Sequence, residues 1–285
     1  MLIEIAIGDS YGAGFEYVSD EVIKTHNNGQ SYIQHPIHNL RPGQYTDDTQ
    51  MTIAIYEYLK ECKFIPDLDP VIVSNYFYNA FARDKRDGYA RGFQSLLEEV
   101  SSGKELFEKC NGKSAKNGAA MRACPIGLIE DKDLLKEFAK LQGSITHSDR
   151  GLTAAIAVAL SVWFLRKNMG DFSDLFEFLN DELEINEDWI FTGKVKHPDD
   201  LGMITVKSAL TFTMFAYSFN DLLKNCVAAT GDVDTNTAIA CGIYSVTKQY
   251  SEAGGTESIP KHLFHTLENE KYGRDYLIEL ESNSI

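Results

Sequence analysis

The stretch TDDTQMTIAIYEYLKEC, residues 46–62, decides the class of fold. Its apolar residues Met51, Ala54, Ile55, Tyr58 and Leu59 fall at i, i+3, i+4, i+7 and i+8, which is one face of a helix. Asp47, Asp48 or Thr49 is placed to cap its start. A second cluster of short oxygen side chains, TGDVDT at 230–235, also precedes a long apolar segment. Two such clusters, far apart in one chain, ask for a common reason.

The rest of the chain reads the same way. Leu152–Arg166 is a helix apolar almost all round, and segments 206–218, 221–229 and 235–250 predict three more. Weaker periodicity predicts helices over 71–81, 89–100, 132–139 and 174–183. Alternating patterns are scarce: LIEIAI at 2–7 and GKVKH at 193–197 are the best strand candidates, and both are short. Strands do not alternate with helices, so a parallel α/β sheet is disfavoured. Polar loops are expected at 27–45 and 186–200, and neither reads as a domain hinge. The expectation is one all-α domain over residues 1–285.

Composition bounds the partners. A chain of 285 residues with 44% hydrophobic residues can bury a real core. Its net charge of −15, from 27 basic against 42 acidic residues, repels nucleic acid and anionic lipid over most of the surface. A local pocket for one small anion remains compatible with that charge. The five cysteines are an odd number with no CxxC or Cys–His spacing, so they read as apolar fillers in a reduced compartment, the cytoplasm. The start MLIEIAIGDS lacks the basic region of a secretory signal. The most apolar run, 152–165, falls short of the roughly 20 residues a membrane span needs.

Aspartate and threonine oxygens are hard ligands that suit Mg²⁺, Mn²⁺ or Ca²⁺ rather than zinc. Asp232 and Asp234, at i and i+2, share one side of a turn or extended segment. If both clusters sit at helix N-termini at one end of a bundle, four carboxylates face each other and call for cations. Taken singly, each cluster reads first as an N-cap. Two other stretches favour a site. GDSYGAGFEY (8–17) has glycines at the density of sharp turns or close backbone approach. SAKNGAAMRACPIGL (114–128) has small residues able to bare N–H groups to a diphosphate. Within it, Arg122 reads as a structural ion-pair partner.

Five motifs occur in order: GDSYGAGFEY, YTDDTQM, KNGAAMRACPIGL, ITHSD and GDVDTNTAIACGIY. Together they resemble the ADP-ribosylglycohydrolase family, which includes the dinitrogenase-reductase activating glycohydrolase. The resemblance runs from Gly8 to Ile259-Pro260. It implies a compact all-α domain with two divalent cations, Mg²⁺ or Mn²⁺, in a cleft. It implies Thr46, Asp47, Asp48, Asp232, Asp234 and Thr235 as metal ligands, with Glu16 and Asp47 as catalytic acids and Glu16 on a mobile loop. Ser114, Asn117 and Gly118 match positions that hold the diphosphate, His147 a histidine near the ligand, and Gly88 and Tyr89 a segment beside the ADP-ribose. His147 also reads as part of a helix cap, and Tyr89 as core. Two departures stand out: Thr230-Gly231 replaces two glycines before the second acidic motif, and Lys116 adds a charge to the diphosphate loop. The leading helix is expected to be short.

The implied activity is hydrolysis at C1″ of the distal ribose, freeing ADP-ribose from an ADP-ribosylated protein or other conjugate. The enzyme is expected to be a monomer, with no membrane or nucleic-acid partner. Two alternatives stay open: a binding or structural relative of weak activity, and an unrelated divalent-metal phosphohydrolase.

Overall fold

The computed structural model describes residues 1–192 and 202–282. Among them are fifteen α-helices, two short 3-10 helices and no strand. The first six helices are α1 (Leu2–Ala13), α2 (Asp20–His26), α3 (Asp47–Glu61), α4 (Pro70–Arg83), α5 (Arg91–Glu99) and α6 (Gly103–Lys109). After a 3-10 turn at Cys124–Leu128 come α7 (Lys132–Ser144), α8 (Asp149–Arg166), α9 (Phe172–Leu183), α10 (Gly202–Phe215), α11 (Phe219–Ala228) and α12 (Val233–Tyr244). The chain closes with α13 (Lys248–Glu252), a second 3-10 turn, α14 (Lys261–Thr266) and α15 (Arg274–Ser282).

The architecture is the all-α fold expected, and each predicted helix is present with shifted ends. Two readings are corrected. LIEIAI is not a strand but the first half of α1, a helix of twelve residues that are all buried. A helix with no wet face shows no 3.6-residue contrast, so its run of apolar residues mimics a strand. The expected helix 235–250 is two helices. It stops at Tyr244, and Thr247 starts α13 by accepting the N–H of Tyr250 at 3.2 Å. GKVKH lies outside the described residues, as does most of the expected loop at 186–200. The loop at 27–45 is irregular as read.

α12 is the axis of the molecule. All its residues are buried, and it packs against α1, α3, α8, α10 and α11. Its contact with α1 is backbone on backbone. A Cβ on Gly8 would lie 2.6 Å from the Thr237 carbonyl oxygen, and one on Gly12 only 2.4 Å from Asp234 Cα. One on Gly242 would meet Ile5 at 2.9 Å. Residues 5, 8 and 12 thus meet 242, 237 and 234, so the two helices are antiparallel. The C-terminal end of α1 therefore arrives at the N-terminal end of α12. α3 brings its own N-terminus to the same place. The surrounding core is dense with fully buried Leu, Ile, Val and Phe side chains, each stabilising by about 1.5–3 kcal/mol. No helix is long and apolar enough to cross a membrane among the described residues.

Candidate metal centre and substrate cleft

The convergence of α1, α3 and α12 brings the two acidic clusters together. Neither cluster caps its own helix. Thr46 is the N-cap of α3 and Asp232 that of α12, and neither side chain makes the cap bond. The first turn of α3 is capped from another helix instead. Asp9, fully buried on α1, accepts the N–H of Thr46 at 2.9 Å and that of Thr49 at 3.0 Å. It also accepts the hydroxyls of Thr46 at 2.8 Å and Thr49 at 2.5 Å. With that work done by Asp9, the carboxylates of Asp47 and Asp48 are released from capping. Sequence reasoning missed Asp9, although it lies inside GDSYGAGFEY; its signal was an acid which, like Glu4, sits on a mostly apolar helix.

Glu16, Asp232 and Asp234 present carboxylate oxygens within 4.8 Å of one another. Asp48 joins the two clusters, since its Oδ2 accepts the hydroxyl of Thr235 at 3.3 Å and lies 3.4 Å from the Thr46 hydroxyl oxygen. Asp48 Oδ1 and Asp234 Oδ1 are buried with no hydrogen-bond partner among the described residues. Among the described residues no lysine or arginine forms an ion pair with Glu16, Asp47, Asp48, Asp232 or Asp234. The electrostatic result is proton retention. Burial first, and then the neighbouring acids, push Asp47, Asp48 and Asp234 well above the usual carboxylate range. Burial, then Asp232 and Asp9, raise Glu16 to about 7.

The acids close one end of a cavity of about 740 Å³. Every candidate residue named from the sequence lines it except Thr46, whose hydroxyl is spent on Asp9. Gly88 approaches so closely that a Cβ there would lie 2.3 Å from Asp47 Oδ1, and its φ of 112° suits glycine. The segment around it is bolted down. Tyr89, 6% exposed, donates its hydroxyl to Gln50 Oε1 at 2.6 Å, and Gln50 in turn donates to the Asp84 carbonyl. Tyr89 thus belongs to the core and the cavity wall at once. Arg86 reaches Asp84, the Tyr45 carbonyl and Glu268, and stacks on the Tyr45 ring at 3.8 Å.

The opposite wall is the 114–118 loop, paired with the residues around His147. The Ser114 N–H donates to the Thr146 carbonyl at 3.3 Å, and the Ser148 N–H to that of Ser114 at 2.9 Å. His147 lies against Gly118, where a Cβ would be 3.2 Å from its Cε1. Asn117 lines the cavity and also touches the acidic cluster. Its side-chain amide donates to Asp232 Oδ2 at 2.9 Å and Thr205 at 3.3 Å, so both N–H groups are committed to protein. It steadies an acid of the cluster. Arg122 is corrected. It pairs with no acid among the described residues, for it donates to Gln142 and to the Thr146 hydroxyl at 2.8 Å and lies over the Phe77 ring. The Thr146 hydroxyl, accepting from Arg122, lies 2.6 Å from His147 Nδ1. With that hydroxyl taken as the donor, the imidazole proton is assigned to Nε2. Burial, then Arg122, hold His147 down at about 3, so it is a neutral donor. Phe93, Leu96 and Cys110 add apolar surface to the lining beside Ser95, Glu99, Lys109 and Asn111, a contribution the sequence did not signal.

A family model for ADP-ribosylglycohydrolase matches residues 1–283. The chain belongs to the ADP-ribosylglycohydrolase family. Members of this family act on ADP-ribose conjugates and are typically metal-dependent. An uncharacterised protein of Archaeoglobus fulgidus is 25% identical over 303 aligned positions, covering 98% of this chain and 92% of that one. A solved structure described as an ADP-ribosylglycohydrolase-related protein complex superposes with a TM-score of 0.72, at 19% identity. The match covers all of this chain and 96% of that one, and it shows the shared fold.

Proposed function

We propose that this member of the family is a divalent-metal-dependent hydrolase that cleaves the bond between C1″ of ADP-ribose and its acceptor, releasing free ADP-ribose. The observation that carries the reading is the gathering of Glu16, Asp47, Asp48, Asp232 and Asp234 along the cavity, with no lysine or arginine paired to them among the described residues. The set fits a metal. Its donors are all oxygen, and two buried carboxylate oxygens are otherwise orphaned. Thr46, Asp47, Asp48, Asp232, Asp234 and Thr235 would hold two Mg²⁺ or Mn²⁺ ions, with the Thr46 and Thr235 hydroxyls donating to carboxylates while a lone pair remains free. When bound, such ions offset the clustered charge, hold ribose hydroxyls and lower the pKa of water.

The chain's own residues do the rest. Glu16 takes a proton from the water whose oxygen bonds to C1″. The C1″–acceptor bond breaks, its electron pair leaves with the acceptor, and that proton passes to the leaving atom. Asp47 is the second acid placed for proton work. Positive charge building on the ribose is stabilised by the surrounding carboxylates. Gly88 and Tyr89 wall the ribose. Ser114, Asn117 and Gly118 border the diphosphate, and His147 offers it an Nε2–H. Residues 1–285 act as one unit in this scheme.

The test is a panel of substrates ADP-ribosylated through nitrogen or oxygen linkages, assayed for free ADP-ribose with Mg²⁺, with Mn²⁺ and after chelation. The expected outcome is metal-dependent release from at least one linkage, with Glu16→Gln slower by roughly 10²–10⁴. Full activity after exhaustive chelation, or release of inorganic phosphate instead, overturns the reading.

A further inference from the structure

The chain around Glu16 is held from outside the cleft. His35, only 4% exposed, lies in the irregular segment 27–45. Its Nδ1 accepts the main-chain N–H of Ile37 at 3.1 Å and of His38 at 2.8 Å. A ring nitrogen that accepts twice carries no proton, so the imidazole N–H is at Nε2. That nitrogen lies 2.8 Å from the Glu16 carbonyl oxygen and donates to it. On the other side the Tyr17 N–H donates to the Gly231 carbonyl at 3.0 Å, one residue before Asp232. Tyr17 has a φ of 50°, a conformation that a non-glycine residue keeps only where its surroundings enforce it. Ile33 presses on the same turn, since a Cβ on Gly14 would lie 2.8 Å from its Cγ1. No hydrogen bond among the described residues holds the Glu16 carboxylate. Its place beside Asp232 and Asp234 is set through the main chain.

We propose that His35 is a positioning residue whose Nε2–H fixes the main chain at Glu16 and so holds that carboxylate within the acidic cluster. Its effect on turnover rests on the hydrolase reading above; its effect on the turn does not. Two substitutions separate the latch from the local loop. His35→Asn keeps an oxygen near the place of Nδ1, able to accept the Ile37 and His38 N–H groups as an Asx turn, but ends short of Glu16. His35→Gln reaches Glu16 with an amide N–H and gives up the acceptor at Nδ1.

The experiment measures hydrogen exchange at the Tyr17 amide, the melting temperature, and kcat and KM for ADP-ribose release. In His35→Asn the melting temperature should stay near that of the wild type while Tyr17 exchange rises about tenfold. Its kcat should fall about 10- to 100-fold with little change in KM, as expected of a misplaced acid. His35→Gln should restore both exchange protection and kcat toward the wild type. Wild-type Tyr17 exchange in His35→Asn overturns the latch, as does loss of folded protein in both variants, which would make His35 a loop residue alone. If the wild-type protein releases no ADP-ribose, the hydrolase reading fails while Tyr17 exchange still decides the latch.

Discussion

Asp9 and the pair Asp48–Asp234 are all buried carboxylates at the meeting of α1, α3 and α12, yet they are treated in opposite ways. Both oxygens of Asp9 are saturated by Thr46 and Thr49. Asp48 and Asp234 each keep an oxygen with no donor among the described residues. Burying an acid without donors costs stability. Asp9 is therefore structure, and we propose the other two as part of a site that receives positive charge. The two kinds depend on each other, because Asp9 anchors the α3 N-terminus that aims Asp47 and Asp48 into the cleft.

The contrast breaks most visibly at Asp9. Asp9→Ala strands four donors in the core and should cost about 3–5 kcal/mol, read by chemical denaturation. A loss under 1 kcal/mol would make Asp9 another member of the site. Asp48→Asn should move stability the other way. In chelated protein it replaces an acid whose ionisation burial and neighbouring acids oppose, and should gain about 0.5–2 kcal/mol. A loss of similar size would mean that the Asp48 carboxylate is structural.

The smallest effect is the pH dependence of the chelated protein. With Glu16 at about 7 against an ordinary 4.5, the folded chain keeps a proton that the unfolded chain has released. Stability from this group is present below pH 4.5 and is lost as pH rises through about 7. Asp47, Asp48 and Asp234 act with the same sign. His147 opposes them, since below pH 6.5 the unfolded ring takes a proton that the folded one refuses. Comparing the wild type with Glu16→Gln isolates one acid: melting curves from pH 7 down to 5 should show a smaller gain in the variant. Superimposable profiles would count against a raised Glu16.

Much of this was legible in residues alone, for physical reasons. The periodicity of α3 was plain because only part of that helix faces water. α1 was misread because no part of it does. The acidic clusters announced themselves as oxygen-rich, but sequence could not say whether they capped helices. That was settled by Asp9, 37 residues before Thr46, which took over the capping. The break after Tyr244 was hidden because Thr247 sits within an unbroken apolar pattern. Asn117 and His35 act through contacts 115 and 19 residues away, and no local pattern encodes either. The lining by Phe93 and Leu96 of α5 and by Cys110 just after α6 likewise exists only once those helices are packed.

The most direct measurement is divalent-ion binding to chelated protein, followed by titration calorimetry and thermal melting, with the wild type beside the Asp48→Asn/Asp234→Asn double variant. If the acids without donors are a metal centre, Mn²⁺ or Mg²⁺ binds the wild type with release of protons. At 100 times the dissociation constant it should then stabilise by about 2.7 kcal/mol per site, and the double variant should show neither binding heat nor a shift in melting. A wild-type protein that binds no divalent ion and melts at the same temperature with and without millimolar metal would contradict the account.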